Sequence, residues 1–355
     1  MYKASKFNVP FQRNGTYFLY NSHSGNFVKL SDEYRESLRK INARQFDQVP
    51  EDHLAELKKA GFVVNESKDE MAIYKFLGNA NRFGENGFQL TVATTLQCNF
   101  RCPYCYEEHV DEYIDGEKEQ LLYDFIVNNL NNKKYLSIMW YGGEPLLKKD
   151  LIVRLSGKLI KECQDRGIEY VATLVSNGYL LNRTVAEELV RSCNLKVVQI
   201  TLDGGPETHN KTRILRNGKG TFHKILQNIK EIYDLLRVTI RVNVSKENVA
   251  DVYKLFPILM EEGLNKKVSV YFAPVVAYNE VCQSISESCL VSREFAKWEM
   301  ELIQYADRIG FELGNMYPQN RGGGFCQAVV KNAYVVDAYG DLFKCWHEVG
   351  NKKKR

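Results

Sequence analysis

The chain opens on two alternating apolar runs, Thr16-Tyr17-Phe18-Leu19-Tyr20 and Asn26-Phe27-Val28-Lys29-Leu30, separated by the turn-forming Asn21-Ser22-His23-Ser24-Gly25. That pattern predicts a hairpin. Ser31 is placed to cap a helix carrying Leu38 and Ile41, and a second helix with Leu54 and Leu57 follows Pro50 and ends at Gly61. Phe62-Val63-Val64 reads as a returning strand. Together these elements predict a small winged-helix-like α+β module over residues 1–77. The polar, Gly- and Asn-rich stretch from Gly78 to Gly87 is taken as its boundary.

From Phe88 the texture changes. Strand-like runs at 88–94, 136–141, 170–175, 196–202, 237–244 and 268–273 alternate with helix-length amphipathic segments. The apolar stripes between them are Leu121, Leu122, Phe125, Ile126 and Leu130; Leu151, Ile152, Leu155 and Leu159; Ile225, Ile229 and Ile232; then Val252, Leu255, Phe256 and Leu259. They read as packing. Six βα units over residues 86–280 predict an α/β fold, a partial (β/α)6 barrel rather than a closed eight-stranded one. In such a barrel, chemistry gathers at the C-terminal ends of the strands.

Composition narrows the function classes. Among 355 residues, 48 basic and 44 acidic side chains are intermixed, giving a net charge of +4 with no concentrated basic stripe. That argues against nucleic-acid binding, and the closing Lys352-Lys353-Lys354-Arg355 reads as a solvated end. No apolar run is long enough to span a bilayer and no signal sequence opens the chain, so a cytoplasmic protein without a membrane partner is expected. The nine cysteines then call for an explanation other than disulfides.

Three of them fall directly after the first barrel strand, as Cys98-Asn-Phe-Arg-Cys102-Pro-Tyr-Cys105. At nine cysteines per chain this spacing arises by accident in roughly 0.006 of sequences. Three thiolates on one loop can each take one iron of a cubane cluster and leave the fourth iron open. A structural zinc site is the alternative, but no second Cys pair lies nearby, and His109 lies beyond a tyrosine-glutamate run.

Three further segments sit at strand ends. Tyr141-Gly142-Gly143-Glu144-Pro145 offers two glycines for close backbone approach and a carboxylate acceptor for an ammonium; read alone, it is also a tight turn. Ser176-Asn177-Gly178 follows the third strand and is equally a turn. Thr201-Leu202-Asp203-Gly204-Gly205-Pro206 closes the fourth, with His209 and Arg213 beyond.

The Cys-x3-Cys-x-aromatic-Cys signature, with Tyr104 as the aromatic, resembles that of the radical S-adenosylmethionine superfamily from Phe88 to about Ala273. The resemblance implies a 4Fe–4S cluster on Cys98, Cys102 and Cys105. S-adenosylmethionine would chelate the open iron and be cleaved by one electron to a 5′-deoxyadenosyl radical. It implies that Gly142, Gly143, Glu144 and Pro145 bind the methionine amino group, and that Ser176 and Asn177 contact the ribose or methionine moiety. Thr201 and Arg213 would bind its carboxylate. Asp203 would orient substrate or serve as an acid or base, whereas His209 reads more readily as structural. Gly205 is an extra residue relative to the family segment and leaves the register after it uncertain by one.

Residues 281–355 resemble a linker helix followed by the opening of a SPASM segment, the module that holds auxiliary 4Fe–4S clusters in peptide maturases. Cys326 and Cys345 would be auxiliary ligands, with Cys282 and Cys289 of lower rank, while Cys163 and Cys193 read as packing thiols. The dense run of cysteines that continues such modules is missing, which suggests a truncated segment. The N-terminal module resembles the precursor-recognition element of such maturases, whose open sheet edge accepts a leader peptide as an added strand. The implied function is thioether or carbon–carbon crosslinking of a ribosomally made peptide, with ferredoxin or flavodoxin as reductant. Two alternatives are an anaerobic sulfatase-maturating enzyme that forms formylglycine, and a non-catalytic iron–sulfur electron carrier.

Overall fold

The computed structural model describes residues 1–313 and 326–350. The chain divides into two compact units. The first comprises residues 1–84 with the described residues 326–331. It contains β1 (Tyr2–Ala4), β2 (Asn8–Arg13), β3 (Thr16–Asn21), β4 (Phe27–Leu30) and β5 (Val63–Asn65). The expected hairpin is β3–β4, and β2 adds to it antiparallel, in the order β2-β3-β4. Strand β2 escapes a periodicity reading because Pro10 interrupts it. Pro10 is tolerated because β2 is an edge strand, paired on one side only.

Ser31 caps the helix Asp32–Asn42 by accepting from the Tyr34 amide, and Glu51–Lys59 follows Pro50. Leu19, Ile41, Leu57 and Phe62 form the core of this unit. One boundary differs from expectation. Asp69 caps a helix from Glu70 to Phe83 that runs straight through Gly78, so the break comes at Gly84. A single glycine costs a helix only about 1 kcal/mol, and the cap with the flanking helix formers outweighs it.

The second unit carries β6 (Gly87–Ala93), β7 (Tyr135–Tyr141), β8 (Glu169–Ser176), β9 (Leu195–Thr201), β10 (Arg237–Val244) and β11 (Val268–Pro274). Each pairs in parallel with the next, giving the partial barrel. The sheet extends beyond β6 through β12 (Ala333–Val336), which is parallel to it, and β13 (Leu342–Phe343), antiparallel to β12. The β12–β13 turn is held by Asp337, whose Oδ1 accepts from the amides of Tyr339 and Asp341.

Most apolar stripes on the helices pack as expected, with Leu155, Leu159, Ile225 and Ile229 inaccessible to solvent. Leu121 is the exception: at 59% exposed it faces out, and Leu122 and Ile126 do the packing on Gly116–Asn128. The stripe from Val252 to Leu259 is split into Val249–Val252 and Leu255–Glu261. Pro257 lies in the first turn of the second piece, where its missing N–H breaks no intrahelical bond. Truncating Ile200, fully buried near the C-terminal end of β9, should lower the unfolding free energy by about 2–5 kcal/mol for Ile200→Ala, measured by denaturant titration.

Candidate functional site

The site is assembled where strands β6 to β10 end. Its first component is the cysteine loop. Cys98, Cys102 and Cys105 are all part-buried and free, and the Cys105 amide donates to the Cys102 carbonyl, which folds the loop tightly. Burial raises all three thiols, Cys98 to about 12 with a further push from the Glu144 carboxylate. Thiols raised this way are protonated near neutral pH, and a metal bound there would displace the proton. Among the described residues no three His, Cys, Asp or Glu side chains converge on one metal ion; a cubane, by contrast, spreads three thiolates over three separate irons. His109 lies beside the loop, its Nε2 3.6 Å from the Cys105 sulfur.

The loop after β7 packs against the strand leading into those cysteines. The Gly143 amide donates to the Thr95 carbonyl at 3.0 Å and the Glu144 amide to Gln97 at 2.8 Å. A Cβ on Gly142 would sit 2.4 Å from the Thr95 oxygen, and one on Gly143 2.3 Å from that of Gln97. Gly142 also has φ +119°. The glycines are therefore required by the chain's own backbone, whatever else approaches them.

Glu144 is fully buried. One oxygen accepts from Ser176 Oγ at 2.9 Å and the Leu146 amide at 3.1 Å, the other from the Asn177 amide at 2.8 Å. Burial raises its pKa, and these donors oppose the rise. An ionised carboxylate has about four acceptor positions. Three are taken, which leaves one open. Pro145 begins the short 3-10 turn that follows. Asn177 reaches back: its Nδ2 donates to Asn99 Oδ1 at 2.7 Å and lies 3.9 Å from the Cys98 sulfur. Glu144, Ser176 and Asn177 thus lock three loops together around the first cysteine.

Asp203, Arg213 and Tyr104 form a second buried group. The Tyr104 hydroxyl donates to Asp203 and accepts from Arg213 Nη1 at 3.0 Å. Asp203 also accepts from the Asn243 amide at 2.8 Å, and burial raises its pKa. Each Asp203 oxygen accepts one of these bonds, so in this arrangement it positions Tyr104 and keeps further acceptor capacity. The Arg213 guanidinium lies over the Phe100 ring with its Nε buried and unpartnered, a donor suited to an anionic group. Thr201, at the end of β9, is buried and registers with Arg241.

His209, whose register was open, faces this group from behind. Its Nδ1 accepts from the Asp203 amide at 3.2 Å and its Nε2 pairs with Thr221 Oγ1 at 3.0 Å. Thr221 in turn donates to the Arg213 carbonyl at 2.5 Å. The ring is fully buried and its pKa is pushed well below the usual value by burial, so it is the neutral Nε2–H form that braces Asp203 and Arg213. Asn243 was not singled out in the sequence, although it lies at a strand end where chemistry was expected.

Cys345 lies 3.7 Å from His347 Nδ1, in a segment where His347 stacks on Tyr278. Cys326 is exposed and belongs to the first unit. Cys282 is buried against Asn279, Cys289 bonds locally to the Ile285 carbonyl, and Cys163 and Cys193 are buried as packing thiols.

Gly143→Ala should force the Gln97 carbonyl aside and destabilise the protein by about 1–3 kcal/mol, read by thermal unfolding, with a matching loss of bound iron after anaerobic reconstitution. Glu144→Gln presents an NH2 group to a site lined with donors. It should cost about 1–3 kcal/mol in the same melt.

Comparison with known proteins supplies the family. Residues 92–256 match the radical SAM superfamily family model. The chain is 30% identical over 279 residues to a cysteine-type anaerobic sulfatase-maturating enzyme of Clostridium novyi, covering 70% of each chain. It is 29% identical over 171 residues to the Fe-coproporphyrin III synthase of Methanosarcina barkeri, covering 48% of this chain and 40% of that one. In fold it resembles the structure of native anSMEcpe with bound AdoMet and Cp18Cys peptide, with TM-score 0.58, 19% identity and coverage of 75% of this chain and 76% of that one. It also resembles Streptococcus suis SuiB bound to precursor peptide SuiA, with TM-score 0.55, 13% identity and coverage of 99% of this chain and 85% of that one. With the cysteine loop, the Gly-Gly-Glu-Pro turn and the partial barrel in place, the chain belongs to the radical SAM superfamily, whose members use a 4Fe–4S cluster and S-adenosylmethionine.

Proposed function

We propose that this radical SAM enzyme modifies a ribosomally made peptide, forming a thioether or carbon–carbon crosslink. In this reading Cys98, Cys102 and Cys105 hold the cluster, which when bound supplies the electron that cleaves S-adenosylmethionine to a 5′-deoxyadenosyl radical. The open acceptor position on Glu144 receives the methionine ammonium, while Gly142, Gly143 and Pro145 shape the turn that presents it. Ser176 and Asn177 fix that carboxylate and face the cofactor. Arg213, with Thr201, takes the methionine carboxylate. Tyr104 packs beside the cofactor, held by Asp203, and Asp203 also orients substrate or serves as an acid or base. Cys326 and Cys345 are assigned to auxiliary cluster binding. The domain assignment is 1–77 for peptide recognition, 86–280 for the barrel and 281–355 for the linker and SPASM-like segment. The reductant is a ferredoxin or flavodoxin.

The observation that carries the peptide assignment is the first unit. It is a small α+β module whose sheet β2-β3-β4 leaves both outer edges without a paired strand among the described residues, an arrangement to which an extended peptide can add. The fold likeness to SuiB, a protein crystallised with its precursor peptide, extends over 99% of the chain and so includes this unit.

The 30% identity to a sulfatase-maturating enzyme favours a second reading, oxidation of a cysteine to formylglycine. The electron-carrier alternative does not account for a buried carboxylate with one open acceptor position beside the cysteine loop.

Reconstituted enzyme given S-adenosylmethionine and dithionite should release 5′-deoxyadenosine; none from a cluster-loaded sample would favour the carrier. Removing residues 1–84 should abolish modification of a leader-bearing peptide, with cofactor cleavage retained at near the original rate. Mass spectrometry distinguishes the chemistries. A crosslink removes two hydrogens per bond, whereas conversion of a cysteine to formylglycine turns its Cβ into an aldehyde carbon with loss of the sulfur and two hydrogens and gain of one oxygen.

A further inference from the structure

A cleft of about 930 Å³ opens onto the cysteine loop, lined by Cys98, Asn99, Arg101, His109, Asp111 and Arg216 among others. Glu144, Ser176, Asn177, Thr201 and Asp203 are not among its lining residues. The cleft therefore reaches Cys98 through other residues than these side chains assigned to the cofactor.

The basic side chains that line it are Arg101 and Arg216, and Arg216 lies in a stretch of chain without acidic residues. Between Glu207 and Glu231 there is no acidic residue, while Lys211, Arg213, Arg216, Lys219, Lys224 and Lys230 are basic. Part of that stretch is fastened to the cysteine loop. Phe100 and Leu215 form a β-bridge, the Arg101 amide donates to the Ile214 carbonyl at 2.9 Å, and the Arg216 amide to Asn99 at 2.9 Å. The turn closes through the Leu215 amide to Lys219, which leaves Arg216 and Lys219 exposed and in no ion pair among the described residues. Arg101 lays its guanidinium on the loop itself, donating to the Cys98 carbonyl at 2.7 Å and to that of Phe100 at 2.6 Å. The opposing charge in the lining is Asp111, whose carboxylate is bound by the Gln97 amide.

We propose that this cleft and its basic turn, Arg101, Arg216 and Lys219, form the docking surface for a small acidic electron-carrier protein that reduces the cluster through the Cys98 side. The proposal rests on the reading that Cys98, Cys102 and Cys105 hold that cluster. One electron leaves the reduced carrier and enters the cluster, with no bond made or broken. Complementary charge speeds such encounters and makes them salt-sensitive. A carrier seated on the turn would stand against residues hydrogen-bonded to the cysteine loop.

The test is stopped-flow reduction of the reconstituted full-length protein, followed by its visible absorbance, with reduced ferredoxin or with dithionite. Arg216→Glu with Lys219→Glu should slow the ferredoxin reaction about tenfold or more and remove most of its dependence on ionic strength. Dithionite reduction, a small-molecule route, should be unchanged. Charge reversal at the exposed Lys161 and Lys196, outside the cleft, should leave both rates as in the wild type. A ferredoxin rate unaffected by reversal at 216 and 219, or slowed equally by reversal at 161 and 196, would overturn the proposal. A wild-type protein that binds no cluster would instead overturn the cysteine assignment, and this proposal with it.

Discussion

The site depends on how closely two stretches of backbone approach each other. Gly142 and Gly143 lie so near Thr95 and Gln97 that neither has room for a Cβ, and Glu144 follows with its amide tied to Gln97. This contact fixes the height of the cysteine loop above the sheet. From that anchor the Glu144 side chain reaches Ser176 and the Asn177 amide, and Asn177 returns to Asn99. Three loops from three strands are registered against one another by a single buried carboxylate. Its burial penalty is offset by charge-assisted bonds, which are stronger than neutral ones.

The same economy governs the second group. Tyr104 leaves the cysteine loop to meet Asp203 and Arg213 at the far side of the barrel mouth, while His209 and Thr221 brace both from below. A neutral histidine suits this task, since an imidazolium would add an uncompensated charge next to Arg213. Burial that raises the cysteine thiols likewise keeps them unreactive until a metal arrives.

Much of this was legible in the residues. The six barrel strands follow from β-branched runs bounded by turn signals, and every chemical motif falls at a strand end. Parallel strands buried on both faces leave a strong apolar signal. Other features left weaker marks. Strand β2 is hidden by Pro10, and β1 is three residues long. The helix through Gly78 was obscured because glycine reads as punctuation. That β12 joins β6 in parallel is a contact some 240 residues away in sequence, as the pairing of Ala333 with Gln89 shows, and periodicity carries no information about partners. Within the site, residue types and spacing pointed to the cysteines and the Glu144 turn. The bracing by Asn243, His209 and Thr221 rests on side-chain bonds that no motif encodes. The glycines were read as making room for a ligand; the structure shows that they first make room for Thr95 and Gln97.

The central claim is that three thiolates hold a cluster whose remaining iron is free to grip an amino acid. Electron–nuclear double resonance on the anaerobically reconstituted, reduced protein tests it, using S-adenosylmethionine labelled with 15N at the methionine amine and 17O at its carboxylate. The account predicts hyperfine coupling from both labels to the cluster spin. A cluster signal indifferent to the added cofactor, or zinc in place of iron in that loop, would contradict it.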